Sequence, residues 1–374
     1  MGKRDRLGGI RAGAPVKLGL IIYGSLDTLS GGYLYDRKLV EYLRRQGDTV
    51  EVIALPWRAY GAHLADNLSL GLWKRIRGLP IDVLLEDELN HPSLFWLNSR
   101  LKRAGSPLVV SVVHHLRISE QHPRLACRLY RWVEKLYLCS VDGFIYNSQT
   151  TCREVEALRG GPARAVIATP AGDRFGAGMS EAEILVRTGE KIRSGRMGRL
   201  VFLGNLIERK GLHTLIAALA RPEAAGWELR VIGRSDLEPR YAARVRELAA
   251  RLGERVAFRG RLDEAALSAE LRQADVLAVP SSYEGFGIAY LEGMAFGLPA
   301  LACSTGGAGE IVIDGESGFL VPVGDDRILA DALKQLADGE RLQAMSLKAR
   351  RRYNDFPTWD ESAGRIRDFL LTWR

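Results

Sequence analysis

The stretch "SSYEGFGIAYLEGMAFGLPA", residues 281–300, holds two carboxylates, Glu284 and Glu292, with a Gly285-Phe286-Gly287 step after the first and apolar residues around both. A buried carboxylate is costly unless something meets it, so the segment requires a ligand or partners within the fold. Carboxylates accept hydrogen bonds from sugar or ribose hydroxyls, and the glycines leave backbone N–H groups able to face a ligand. Two further loops complement them. In "LGNLIERKGLHTLIAAL" a strand pattern runs into Gly204-Asn205, and the cationic pair Arg209-Lys210 stands just before a helix. Cations are mildly unfavourable at a helix start, which tilts the pair toward an anion such as a diphosphate. In "SLDTLSGGYLYDRKLVEYL", Gly31 and Gly32 open a helix, where N–H groups and the helix dipole suit a phosphate. A plain strand-to-helix turn would read the same way, and no G-x-G-x-x-G dinucleotide pattern is present. Acids for hydroxyls, beside cations and amides for phosphate, together describe a nucleotide-sugar site.

Strands and helices must hold these loops. Apolar runs of strand character alternate with helical patterns, which predicts an α/β fold with parallel sheets. Strands are expected at 17–24, 49–55, 81–86, 107–114, 143–148 and 163–170, and a second series at 199–205, 228–233, 255–260, 275–281, 299–303 and 317–322. The chain thus writes a Rossmann-like architecture twice, and such sheets bind ligands at the carboxyl ends of their strands. The expected layout is an N-terminal domain over 1–175, a polar, glycine-rich linker over 176–198, a C-terminal domain over 199–355 and a packing helix over 356–374.

The length of 374 residues fits two domains, since a single core stops growing at about 250–300 residues. No window approaches the roughly 18 consecutive apolar residues of a membrane span. The basic start with its short apolar piece reads as a first strand and not as a signal peptide, so a cytoplasmic location is expected. Cys127, Cys139, Cys152 and Cys303 are widely spaced and suit reduced core thiols. Residues 1–172 hold 24 Lys+Arg against 16 Asp+Glu, and 173–374 hold 29 against 29, so the net charge of +8 lies wholly in the first half. Basic clusters beside aromatic residues, "WKRIR" at 73–77 and "RLACRLYRWVEKLY" at 124–137, suit phosphates on a nucleic acid, a lipid surface or a substrate. In the second cluster Leu125, Leu129, Trp132, Val133, Leu136 and Tyr137 recur at helical spacing and are expected to face the core rather than a membrane.

With Gly297, Pro299 and "STGGAGEIVIDGESGFLVPVGD" behind it, the Glu284–Glu292 segment resembles the E-x7-E region of retaining glycosyltransferases of family 4 type. The likeness is strongest over 199–325 and extends to the Gly-Gly loop, "VVHHL" and the Trp359-bearing tail. It implies a GT-B fold: two Rossmann-like domains facing across a cleft, acceptor on the first and nucleotide-sugar donor on the second, with the C-terminal helix crossing back to the first. It implies that Glu284 binds hydroxyls of the donor sugar, that Gly285, Phe286 and Gly287 offer amides to sugar and phosphate, and that Glu292 binds the ribose. Lys210 would neutralise the diphosphate and Gly32 would set its amide against it. His114, ending "PLVVSVVH", corresponds to the histidine that the family uses near the donor sugar; by its residues alone it reads as a satisfied histidine at a strand end.

His114, Lys210 and Glu284 are therefore the expected catalytic residues. The family commonly has Gly-Arg where this chain has Gly204-Asn205, so one phosphate-binding cation is missing, and either Arg209 replaces it or Asn205 gives a neutral hydrogen bond. The acids Glu86, Asp87 and Glu88 superficially resemble the metal motif of the other glycosyltransferase fold. They lie in the first domain, and the cationic loop already supplies the neutralisation, so they are expected to line the acceptor side or the surface, with no metal. The resemblance implies a retaining, metal-independent hexosyltransferase acting from a nucleoside-diphosphate sugar, with no cofactor besides that donor. The acceptor stays open among glycan, lipid or lipid-linked and small-molecule hydroxyls. Peripheral contact of the basic first half with an anionic membrane fits this picture, and nucleic acid is not expected. A GT-B nucleotide-sugar epimerase or phosphorylase, and a non-enzymatic module for anionic surfaces, are the alternatives.

Overall fold

The computed structural model describes residues 15–28, 30–105, 107–120 and 122–373. The start of the chain, read above as carrying no leader, lies mostly outside them. Two compact units form: the described parts of Met1–Pro170 with Trp359–Arg374, and Ala171–Thr358. Each expected strand region contains a strand.

The first unit holds β1 (Lys17–Tyr23), β2 (Thr49–Leu55), β3 (Val83–Asp87), β4 (Leu108–Val113), β5 (Gly143–Tyr146) and β6 (Ala165–Ile167), all parallel, in the order β2-β1-β3-β4-β5-β6. The near-continuous apolar runs of β1, β3, β4 and β5 follow from burial on both faces of a parallel sheet. The helix Gly31–Arg45 is capped by Ser30, whose Oγ accepts from the Tyr33 N–H at 3.3 Å. Against it packs the helix Trp359–Leu371: Trp359 meets Tyr35 edge-on at 5.9 Å, Arg367 pairs with Asp48 at 2.7 Å, and Ser362 donates to the Thr169 carbonyl at 2.7 Å. These contacts fasten the tail to the first unit.

The second unit holds β7 (Gly198–Leu203), β8 (Trp227–Ile232), β9 (Val256–Gly260), β10 (Val276–Val279), β11 (Ala300–Cys303) and β12 (Gly318–Val321), parallel, in the order β12-β11-β10-β7-β8-β9. The order reverses between β7 and β10, the place where a doubly wound sheet opens a crevice at its carboxyl ends. The 176–198 segment, expected as a linker, contains the helix Glu181–Ser194 and folds onto this unit. Its start is a Ser180/Glu183 capping box, and buried Arg187 donates to the Phe296 and Gly297 carbonyls at 2.8 and 3.1 Å.

Two sequence expectations are corrected. The helix Arg124–Leu138 buries Val133 and Tyr137, but Leu125, Leu129, Trp132 and Leu136 are exposed. Helical spacing identifies a stripe without saying which neighbour covers it. Glu86, Asp87 and Glu88 are not surface groups, because β3 is an inner strand and all three are buried. Among the cysteines, all free, Cys152 and Cys303 are buried and Cys139 is exposed. No helix among the described residues is long and apolar enough to cross a membrane.

Candidate functional site

In the second unit the loops after β7, β10 and β11, three adjacent strands, are knitted together. The Ser282 N–H donates to the Arg209 carbonyl at 2.8 Å, Gly307 N–H to the Glu284 carbonyl at 2.7 Å, and Thr305 Oγ1 to the Ser282 carbonyl at 2.8 Å. Glycine is required at the closest approaches. Gly211 has φ +70°, and a Cβ there would stand 2.0 Å from the Pro280 carbonyl oxygen; at Gly306, φ +68°, it would stand 2.1 Å from that of Glu284.

This knitting brings Lys210, Arg209 and Glu284 together. Lys210 Nζ donates to Glu284 Oε1 at 2.5 Å, Ser281 Oγ donates to the same oxygen at 2.6 Å, and Arg209 stands 3.7 Å from Oε2 while donating to the Tyr283 carbonyl at 2.6 Å. Burial pushes the Glu284 carboxyl up, but Lys210 and Arg209 overcome it and hold the pKa down at about 2. Burial draws the Lys210 ammonium below its usual range, with Glu284 opposing. The Lys210 stem runs past Gly204, so a side chain there would touch it at 3.5 Å. Asn205 follows directly in the same loop.

Gly287, φ +106°, precedes the helix Ile288–Ala295, and Phe286 is buried edge-on to Phe356 at 6.0 Å. Gly285 lies under Gly307, where a Cβ would come within 2.4 Å of its carbonyl oxygen. Glu292, inside that helix, has a different partner, Arg174 Nε at 3.1 Å. Burial raises its pKa and Arg174 opposes. The two acids of the opening segment are thus served by separate cations. Sequence reasoning missed Arg174, which sits at the end of the stretch assigned to the first domain, just before the expected linker; the adjacent Phe175, on whose ring it stacks at 4.5 Å, was the available signal. Ser281 was missed as well.

In the first unit Gly31 and Gly32 open the helix after β1, and His114 follows β4. A Cβ on Gly32 would meet the His114 ring at 3.1 Å, so these two predicted residues are neighbours. His114 Nε2 donates to Asp36 Oδ1 at 3.1 Å, and its ring stands edge-on to Tyr35 at 5.2 Å. Burial lowers the imidazole pKa, but Asp36, Asp87 and Glu88 together raise it to about 9. Asp36 was missed in the sequence, although it falls on the buried stripe of its helix with Tyr33, Leu39, Val40 and Leu43.

The first unit buries further acids. Burial pushes Glu86, Glu88 and Glu134 up to about 8 and Asp87 up to about 7. Among the described residues two groups have ligand atoms within 4.8 Å of one another, Asp36/Asp87/His114 and Glu88/His91/Glu134. In the first, His114 Nε2 already pairs with Asp36. In the second, His91 Nδ1 meets the Glu88 backbone carbonyl at 3.1 Å, and Nε2 lies 3.0 Å from the Tyr60 hydroxyl. A cation in either place would have to break these contacts.

Two family models match the chain: one described as glycosyl transferases group 1 over residues 198–339, and one described as a glycosyl transferase 4-like domain over 29–172. The phosphatidyl-myo-inositol mannosyltransferase of Mycobacterium leprae is 29% identical across 94% of this chain and 95% of its own. The GDP-mannose-dependent alpha-(1-6)-phosphatidylinositol monomannoside mannosyltransferase of Mycobacterium tuberculosis is 33% identical across 60% of each. Among solved structures, sucrose-phosphate synthase from Thermosynechococcus elongatus superposes with a TM-score of 0.79 at 21% identity, covering 96% of this chain and 100% of that one. Anabaena HepE in complex with UDP and glucose gives 0.73 at 18% identity, covering 95% and 99%.

Proposed function

The chain belongs to the glycosyltransferases of family 4 type with the GT-B fold, and from that premise we propose that it moves a hexose from a nucleoside-diphosphate sugar to an acceptor hydroxyl with retention at the anomeric carbon. The observation that carries the reading is the convergence of Lys210 and Arg209 on Glu284 at the point where the strand order of the second sheet reverses. A diphosphate is the ligand such a cationic pair suits, and hydroxyls suit the acid between them. The HepE structure with UDP and glucose supports this class of donor.

In this mechanism the bond from the anomeric carbon to the diphosphate oxygen breaks, and its electron pair leaves with the nucleoside diphosphate. The acceptor oxygen enters on the same face, and its proton passes to the departing phosphate. Lys210 and Arg209 stabilise the charge that develops there, which is the work a metal would otherwise do, so the reaction is metal-independent. Glu284 positions the sugar hydroxyls, Gly285 to Gly287 present amides, and Glu292, oriented by Arg174, takes the ribose. Asn205 supplies a neutral hydrogen bond, and Arg209 stands in for the cation missing beside it. The roles that the resemblance gives His114 and Gly32, toward the donor sugar and its phosphate, belong to the same proposal. A lipid or lipid-linked hydroxyl is the acceptor class, supported by relatives named for phosphatidylinositol substrates.

The test is incubation of the chain with UDP-, GDP-, ADP- and TDP-hexoses, with and without phosphatidylinositol and polyprenyl-phosphate acceptors in mixed micelles. Acceptor-dependent release of nucleoside diphosphate, and a product with the donor's anomeric configuration by NMR, are expected. An inverted product contradicts retention. An epimerised donor formed without any acceptor contradicts transfer altogether.

A further inference from the structure

The helix Arg124–Leu138 of the first unit turns an apolar line outward. Leu125, Leu129, Trp132 and Leu136, spaced by four, three and four residues, share one side of it, and all are exposed, Leu125 by 80% and Trp132 by 59%. Single exposed leucines are ordinary; four large apolar side chains in register on one helix mark an interaction surface. A second line, Arg124, Arg128, Arg131 and Lys135, runs along the edge of the first and is exposed as well. The only carboxylate of the helix, Glu134, points inward, where it accepts from the backbone N–H groups of Arg117 and Ile118 at 2.5 and 3.3 Å. No acid on this helix therefore tempers the exposed arc. The patch continues past the helix: the Trp132 ring lies 6.4 Å from Phe95, Trp96 beside it is exposed, and the next helix ends in Arg100, Lys102 and Arg103.

We propose that this face docks the protein on a bilayer containing anionic lipid, with the helix in the plane of the interface, its apolar line among the acyl chains and its basic line at the headgroups. Leucine and tryptophan on one side with arginine and lysine beside them are the composition of an interfacial helix. The charge complementarity selects the occupant. A second copy meeting this face would bring a second row of cations and no outward carboxylate of this helix to answer the first, and a nucleic acid would answer the cations but leave the leucines and tryptophan uncovered. The whole net charge of +8 lies in the half of the chain that carries this helix. The proposal stands apart from the transfer reading, since it is read out by lipid binding and not by turnover.

The experiment is flotation of the full chain with vesicles of phosphatidylcholine alone and of phosphatidylcholine mixed with phosphatidylglycerol. Binding to the mixed vesicles, weakened by salt, is expected. The double variant Leu129→Ser/Trp132→Ser should lower that affinity by about tenfold or more, and Arg128→Glu/Arg131→Glu should do so by a similar factor. Because all four side chains are exposed, the circular dichroism spectrum and Tm of both variants should match the parent, which separates lost docking from lost folding. Absence of binding to mixed vesicles overturns the proposal, as does binding that neither double variant changes. A dimer in sedimentation that Leu129→Ser/Trp132→Ser dissociates, without vesicle binding, overturns it in favour of a second copy.

Discussion

At the strand ends of the first unit one imidazole, His114, stands among carboxylates, with Asp36 at 3.1 Å and Asp87 and Glu88 raising its pKa further. At the strand ends of the second unit one carboxylate, Glu284, stands among cations, with Lys210 at 2.5 Å and Arg209 at 3.7 Å. The arrangement is the same with the signs exchanged. The difference teaches where an anionic ligand belongs. Two cations against one acid leave the second unit with positive charge to offer, whereas the first has an excess of acids, part of which burial keeps protonated near neutrality. Under the proposed function a diphosphate would be drawn to the second, and would gain little from the first beyond the helix N-terminus at Gly31 and Gly32.

The largest effect should come from removing the cation nearest Glu284. Lys210→Ala is expected to lower kcat of the transfer reaction by about 10²–10³-fold, the usual cost of losing one stabilising group at a developing charge. His114→Gln, on the side without surplus positive charge, should cost less; a larger loss at His114 in steady-state kinetics would break the comparison.

Stability should follow the same logic. Lys210→Ala leaves Glu284 buried with only the more distant Arg209, and breaking such a pair costs about 3–5 kcal/mol. In denaturant titrations Lys210→Ala/Glu284→Gln should recover much of that loss, because no uncompensated charge remains.

The pH dependence should separate the units in opposite directions. Glu284 has its pKa lowered from 4.5 to about 2, so its pairing stabilises fully above 4.5 and is lost as the pH falls toward 2. His114 has its pKa raised from 6.5 to about 9, so its contribution is complete below 6.5 and lost as the pH rises toward 9. The stability gap between the parent and Glu284→Gln should therefore close in acid, and that between the parent and His114→Gln in base. Asp36→Asn should bring the His114 titration, followed by NMR, down from about 9 toward 6.5.

The smallest effects concern packing. Gly306→Ala combines a left-handed φ with a Cβ 2.1 Å from a carbonyl oxygen, and should cost about 1–3 kcal/mol by thermal unfolding. Gly32→Ala meets only a ring at 3.1 Å, and a gain in helix propensity offsets the contact, so its stability should change by less than about 1 kcal/mol.

Much of this was legible in the sequence. Parallel strands buried on both faces, such as β1 and β4, appear as unbroken apolar runs, and each region that was read as a strand contains one. Glu284, Arg209 and Lys210 were visible because charge in an apolar or glycine-rich loop after a strand has few structural reasons to exist. The partners supplied by distant parts of the chain were less visible. Asp36 sits on a helix stripe that otherwise reads as core, and Arg174 just before the segment whose glycines suggested a linker. The outward face of Arg124–Leu138 was misread for the converse reason: periodicity names a stripe, and only the neighbouring elements decide whether it is covered. The burial of Glu86, Asp87 and Glu88 depends on strand order, which no local pattern records.

The central claim, that the cations about Glu284 await a nucleoside diphosphate, is tested most directly by thermal-shift titration with UDP-, GDP-, ADP- and TDP-sugars. At 100 times its dissociation constant a true donor should stabilise the chain by about 2.7 kcal/mol, and Lys210→Ala should abolish that shift. No stabilisation by any of the four classes, or one that Lys210→Ala leaves intact, would contradict the account.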